Sequence, residues 1–376
     1  MHILFYIHSL SSGGAERVTT TLANHWASQG LQVTVVTVAG RERDFYTLDD
    51  RIKRIALSLD ANSANPWRAL ISNWRRVRAL RYVLRVMKPD VAVAMMATAN
   101  ATLALAGWKL PVTTIGSERT YPPAISLGRA WEAIRRWSYP HLSGIVAQTQ
   151  QSADWLQANA PAPHIKVIPN PLHYPLPIHE PVMTPSTARE EHRCTHMILA
   201  VGRLGAEKGF DRLLDVFANI SRAYPDWVLV ILGEGPKRAS LEEQVTSLGL
   251  GQRVCLPGAV GNVGDWFEAA DVYALTSRFE GFPNSLLEAL AYGVPSVAVD
   301  CETGPREILR HEVNGLLVPQ NDNKALASAL ERLIGDPALR ARFAERAIEA
   351  RERFSIRCIA EQWEKMFNEV KEENDS

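Results

Sequence analysis

Cysteine is scarce in this chain of 376 residues: four, at Cys194, Cys255, Cys301 and Cys358, with no C-x-x-C pair among them. Scattered single thiols argue against a zinc ribbon and a disulfide framework and imply reduced cysteines. The ten histidines show no metal-ligand spacing either, and His8 and His141 read as structural. No positively charged n-region opens the chain, so residues 1–8 read as a first β-strand and not as a signal. Residues 91–108 carry no charge, but they are rich in Ala and Thr, contain Asn100 and break at Gly107. A buried strand followed by a helix fits them better than a membrane span. With 46% hydrophobic and 22% charged residues the composition is that of a soluble globular protein, and the cytoplasm is the expected compartment. The length is too great for one ordinary core and suits two domains of about 170 residues.

Formal net charge is zero, which conceals an asymmetry. Residues 1–170 hold 19 Lys and Arg against 10 Asp and Glu; the rest hold 22 against 31. The cations concentrate in residues 67–88, where Arg68, Arg75, Arg76, Arg78, Arg81, Arg85 and Lys88 accompany Trp67 and Trp74. Residues 129–137 repeat the combination, with Arg129, Arg135 and Arg136 beside Trp131 and Trp137. Two readings stand open. Basic helices with interleaved Trp suit an anionic membrane surface, at about 1 kcal/mol per nearby cation. Equally, the Trp, Leu and Val of a solvated helix can face the domain core. No single-strand or groove-binding motif accompanies the charge, so nucleic acid is not an expected partner.

Short β-branched runs alternate with helical patterns along the first half. Strands are expected at 3–7, 32–38, 91–95, 113–115 and 144–147, with helices near 15–29, 67–87 and 131–139 and a last strand from 166. Residues 171–195 are proline-rich and aperiodic, which suits a linker. A second alternation follows, with strands at 197–201, 228–232, 254–256, 272–275, 296–299 and 315–318. Helices at 211–224, 236–248, 263–269, 285–292, 305–310 and 323–334 separate or follow them, and a helical tail closes the chain. Repeated βα units argue for an α/β fold of two doubly wound parallel sheets.

Two constellations carry chemistry. Gly202-Arg203 and Glu207-Lys208-Gly209 follow the strand at 197–201, at the sheet edge where ligands of open α/β sheets collect. One Arg and one Lys there suit a diphosphate: a planar fork and a mobile point charge. Further on, Glu280-Gly281-Phe282-Pro283-Asn284-Ser285-Leu286 leads to Glu288. Pro283, Asn284 and Ser285 suit a loop-to-helix junction whose N–H groups attract an anion. Glu280 is expected in the loop and Glu288 about two turns into the helix, one carboxylate on either side of a phosphate. The Gly13-Gly14 pair lacks the G-x-G-x-x-G dinucleotide pattern, but it lets a backbone approach phosphate or acceptor.

Gly202-Arg203-x4-Lys208-Gly209 followed by Glu280-x7-Glu288 resembles the retaining glycosyltransferases of family 4, which have the two-domain GT-B fold. Gly13-Gly14-Ala15-Glu16-Arg17, Ser117-Glu118-Arg119 and Thr303-Gly304-Pro305-Arg306-Glu307 resemble further blocks of that family, in the right order from about residue 3 to residue 318. The resemblance implies two Rossmann-like domains facing a cleft: acceptor binding at 1–170, a linker at 171–195, nucleotide-sugar binding at 196–350, and a final helix, 351–376, crossing back to the first. It implies that Arg203, Lys208 and Glu280 carry the transfer. Glu280 and the backbone of Gly281, Phe282 and Pro283 would hold the sugar, Asn284, Ser285 and Leu286 the phosphate, Glu288 the ribose, and Gly202 and Val260 would also line the donor site, with residues 257–260 facing the uracil. Gly13, Gly14, Glu118 and Arg119 would serve the acceptor or its phosphate.

Many relatives carry His where this chain has Arg119, and an Arg is no base near neutral pH. Phosphate binding, with Glu118 as its ion-pair partner, is the expected substitute. No Asp-x-Asp motif stands in a suitable strand-end loop, in keeping with transfer without metal or other cofactor. The expected activity is retaining transfer of a hexose or N-acetylhexosamine from a UDP-sugar to a lipid-linked oligosaccharide or polysaccharide precursor. The chain would sit peripherally on the cytoplasmic membrane face. UDP-Gal, UDP-GalNAc and UDP-Glc are favoured over GDP-mannose. A UDP-sugar epimerase of the same fold and a non-catalytic UDP-sugar-binding subunit are the alternatives.

Overall fold

A computed structural model describes residues 1–11, 13–60, 66–124 and 128–375, with the description of 66–69 and 374–375 limited to the backbone. The chain forms two compact units, residues 1–171 with 356–376 and residues 172–355.

The first unit is a seven-stranded parallel sheet. Its strands are β1 (His2–Ile7), β2 (Gln32–Thr37), β3 (Lys53–Ala56), β4 (Val91–Met95), β5 (Thr113–Ser117), β6 (Gly144–Ala147) and β7 (Ile165–Val167), in the order β3-β2-β1-β4-β5-β6-β7. Helices α1 (Gly14–Ser28), α2 (Pro66–Met87), α3 (Ala97–Gly107), α4 (Arg129–Ser138) and α5 (Gln150–Asn159) connect them. β1, β4 and β5 are buried throughout, as parallel strands covered on both faces must be. The uncharged stretch 91–108 is therefore β4 plus α3, and among the described residues no helix is long and apolar enough to cross a membrane. The edge strand β3, not expected from the sequence, begins with Lys53 and Arg54, which blunt an edge but hide a strand pattern. The C-terminal helix Ile356–Asp375 belongs to this unit: Trp26 stacks on Phe5 and meets the Phe367 ring at a tilt, and its indole N–H donates to Glu364 at 2.7 Å. The unit boundary lies at 355/356, five residues beyond the expected one.

The second unit contains α6 (Pro185–His192), then a six-stranded parallel sheet of β8 (His196–Val201), β9 (Trp227–Leu232), β10 (Val254–Gly258), β11 (Val272–Leu275), β12 (Ser296–Asp300) and β13 (Gly315–Pro319). The order is β10-β9-β8-β11-β12-β13. Helices α7 (Phe210–Ile220), α8 (Arg238–Ser247), α9 (Val263–Ala269), α10 (Asn284–Ala291), α11 (Pro305–Ile308), α12 (Asn323–Gly335), α13 (Pro337–Ala347) and α14 (Ala350–Arg353) cover it. Residues 172–195 are not a free linker. Leu172, Ala188 and Cys194 are buried in this unit's core, and His179 and Pro181 exchange backbone hydrogen bonds with Gly261. Aperiodic proline-rich sequence carries no pattern that would announce such packing. β8 and β11 are neighbours in register Val272↔Ile198 and Tyr273↔Leu199, and the connections leaving them diverge to opposite ends of the sheet. That topological switch point opens a crevice at the carboxyl ends of both strands.

Candidate active site

The loop after β8 and the loop after β11 meet at that crevice. Lys208, in a 3-10 turn over Ala206–Lys208, donates from Nζ to Glu280 Oε1 at 2.7 Å. The same oxygen accepts the Ser277 hydroxyl at 2.6 Å, and the Thr303 hydroxyl holds the Glu280 backbone carbonyl. Glu280 is buried, 8% exposed, so its carboxylate is fixed by two donors and not left to solvent. Lys208 and Glu280, 72 positions apart in sequence, thus form one unit. The lysine stem passes over Gly202, where any Cβ would stand 3.3 Å from Lys208 Cδ and Cε.

Arg203 occupies the same loop but points elsewhere: it donates to Glu207 at 2.6 Å and its side chain is 66% exposed. Glu288 is buried on α10. The helix starts at Asn284, so Glu288 stands just over one turn in, not two. The Leu286 amide, expected as a phosphate donor, is already bonded to the Pro283 carbonyl at 3.1 Å. Asn284 and Ser285 are the other two expected positions, and they form the first two residues of the helix. The Phe282 ring packs in the core against Phe354, so only its backbone can face a ligand. Tyr273 on β11 bonds Ser285 Oγ at 2.7 Å, and burial with the charges of Glu280 and Glu288 drives its phenol far above its usual range. Both carboxylates therefore stand near one tyrosine. Cys301 is buried beside the site and its thiol is pushed up to about 12 by burial and Glu280, so it is no nucleophile. Val260 follows β10 and is half-buried against the core, two strands away from β8.

Gly304 closes the loop geometry. Its φ of +100° lies where side chains are strained, and a Cβ would stand 2.6 Å from Pro283 Cδ. The sequence singled out the charged residues and placed Thr303 only within a family-like block; the contact of its hydroxyl with Glu280, and Ser277 altogether, carry no signature until the strands are side by side.

In the first unit, Gly13 caps α1 and Gly14 begins it. Ser9 and Ser11 share a 3.0 Å hydrogen bond and each reaches Glu16 at 3.4 Å, forming a polar turn; Ser12 lies outside the described residues. Arg119 does not pair with Glu118. Glu118 is enclosed by the Tyr139 hydroxyl at 2.7 Å and Arg135 at 3.8 Å, and burial pushes its carboxyl up. The peptide turns the two side chains apart: Arg119 Nη1 donates to Asn170 Oδ1 at 2.8 Å. Its Nε and Nη2 are buried without a hydrogen-bond partner, as are Ser117 Oγ and Gln148 Oε1. Burial with no counter-charge brings this guanidinium down to about 9.

Among the described residues no group of three His, Cys, Asp or Glu is placed to hold a metal ion. Two family profiles match the chain, Glycosyltransferase Family 4 over residues 12–173 and Glycosyl transferases group 1 over residues 189–350. The chain is a family 4 glycosyltransferase. It is 29% identical to a Campylobacter jejuni alpha-1,4-N-acetyl-D-galactosaminyltransferase acting on a diNAcBac-PP-undecaprenol glycan, over 99% of each chain. It is 30% identical to an exopolysaccharide phosphotransferase of Streptomyces coelicolor, over 95% of this chain and 39% of that longer one. Anabaena HepE, solved in complex with UDP, superposes with a TM-score of 0.78 at 22% identity, over 98% of this chain and 100% of that one. The fold of this glycosyltransferase is GT-B.

Proposed function

We propose that this glycosyltransferase moves a hexose or N-acetylhexosamine from a UDP-sugar to a lipid-linked oligosaccharide or polysaccharide precursor, with retention and without metal, at the cytoplasmic membrane face. The Lys208–Glu280 pair at the switch point carries the reading. A departing diphosphate develops negative charge, and a fixed ammonium beside it acts where charge appears. Glu280 Oε1 takes both of its donors, leaving Oε2 to accept a sugar hydroxyl. Arg203 swings from Glu207 to the diphosphate, a charge-assisted contact of about 1.5–3 kcal/mol. With no covalent nucleophile, the leaving phosphate takes the acceptor proton on the same face. The Campylobacter jejuni relative acts on an undecaprenol diphosphate glycan and HepE was solved with UDP, which supports both the acceptor and the donor class.

Arg119 is proposed as the acceptor-phosphate ligand, because a buried guanidinium with two unpartnered nitrogens lacks an anion. The membrane reading gains from α2. Its outward stripe is Ile71, Trp74, Arg75, Arg78, Tyr82, Arg85 and Val86, all exposed, while Leu80, Val83 and Leu84 face the core. Trp137 on α4 is 51% exposed. Not every cation contributes: Arg135 is buried, and Arg76 and Arg81 bond backbone carbonyls. The side chains of Trp67 and Arg68 lie outside the described residues. UDP release from a panel of UDP- and GDP-sugars, with and without bacterial lipid extract and with no added metal, tests the proposal. Lipid-stimulated release from one UDP-sugar is expected; a folded, UDP-binding protein that releases UDP from none overturns it.

A further inference from the structure

Three successive carbonyls in the turn that carries Lys208 are held from the segment after β11. The Thr276 hydroxyl donates to Lys208 O at 3.1 Å, the Arg278 amide to Glu207 O at 2.7 Å, and Arg278 Nη1 to Ala206 O at 2.7 Å. The same guanidinium grips Asp211 in the first turn of α7 with both nitrogens, at 2.8 and 2.6 Å. Gln320 in turn donates to the Arg278 carbonyl at 2.6 Å. Arg278 therefore ties the chain before and after Lys208 to the strand end that bears Glu280, two residues on.

We infer that Arg278 is a positioning residue that sets the place of the Lys208 ammonium and acts on the donor diphosphate only through it. The inference rests on the donor-site reading above. A lysine stem is flexible, so its ammonium is placed by Glu280 at one end and by the backbone beneath it at the other. The Arg278 and Asp211 side chains are 40% and 48% exposed, and ion pairs so exposed add little to stability. Orientation is what the arrangement supplies. It needs Arg and not Lys, because only a planar fork reaches both carboxylate oxygens and a carbonyl together.

UDP titrations by calorimetry on the wild-type protein, Lys208→Ala, Arg278→Ala and the double variant test this, with thermal midpoints alongside. Arg278→Ala is expected to weaken UDP about fivefold or more, and to add less than about twofold when Lys208 is already Ala. Asp211→Asn, which breaks the fork while leaving the guanidinium, is expected to lose affinity in the same direction and serves if Arg278→Ala melts early. Equal losses in both backgrounds, or wild-type affinity in Arg278→Ala and Asp211→Asn, would overturn the inference. Wild-type UDP affinity in Lys208→Ala would instead sink the donor-site reading itself.

Discussion

Lys208 and Glu280 depend on each other because each lies in surroundings that water only partly reaches. Truncating either leaves the other charge without its partner as well as without its ligand contact. Lys208→Ala and Glu280→Ala are each expected to cut turnover by about 100-fold or more, measured as UDP release, with the fold kept by circular dichroism. Wild-type rates in both would remove the proposed mechanism. Arg119 poses the opposite case. It is buried, it has one hydrogen bond, and Asn170 Oδ1 would keep the Gln148 amide at 2.7 Å if the arginine were lost. A charge buried without a counter-ion is costly to desolvate, so an apolar chain of similar volume in its place removes that cost. Arg119→Met is therefore expected to raise the thermal midpoint while lowering lipid-stimulated UDP release. A lowered midpoint would mean that the arginine is there for packing.

The segment from β11 to α10 and the turn before α11 act together. Glu280 sits in the first, and Thr303 and Gly304 in the second hold its backbone and leave room for Pro283. An alanine at Gly304 would place a Cβ 2.6 Å from Pro283 Cδ in a backbone region that favours glycine. Strain of this kind costs about 1–3 kcal/mol. Gly304→Ala is expected to lower the unfolding free energy from urea titration by that amount and to weaken UDP, since the displaced loop carries the glutamate; unchanged urea and UDP titrations would refute this. Helix α2 shows a second use of an element. Its inner face is ordinary core, and its outer face carries Arg78 stacked on Trp74 at 4.5 Å, where a solvated helix would place acids and lysines.

Across the chain as a whole the charge is divided, with the excess of cations in residues 1–170 and of anions in the remainder. A protein arranged so would bind an anionic bilayer through its first unit alone. Co-sedimentation with phosphatidylglycerol vesicles is expected, with little binding to neutral vesicles and release in high salt, because exposed charges are screened within about 3 Å at 1 M. Reversing Arg78 and Arg85 to Glu should reduce the bound fraction about tenfold or more, at about 1 kcal/mol per cation removed. Salt-independent binding, or binding unchanged by the reversal, would rule out this face.

The two alternations of strand and helix, the parallel sheets and the candidate charges were legible in the sequence, because period, turn residues and side-chain chemistry are local properties. Arg203, Lys208, Glu280 and Glu288 could be picked out for that reason, before any contact was known. Their arrangement was not legible. Lys208 meets Glu280 across 72 positions and Arg278 meets Asp211 across 67, only because β8 and β11 became neighbours at the switch point of the second sheet. Glu118 lies next to Arg119 in the chain yet faces Arg135 and Tyr139, since successive side chains of an extended segment leave on opposite sides. Whether α2 hides or presents Trp74 was likewise open, its pattern fitting both, until packing against the sheet chose Leu80, Val83 and Leu84 for the core. Local chemistry names the groups, and strand order decides which of them touch.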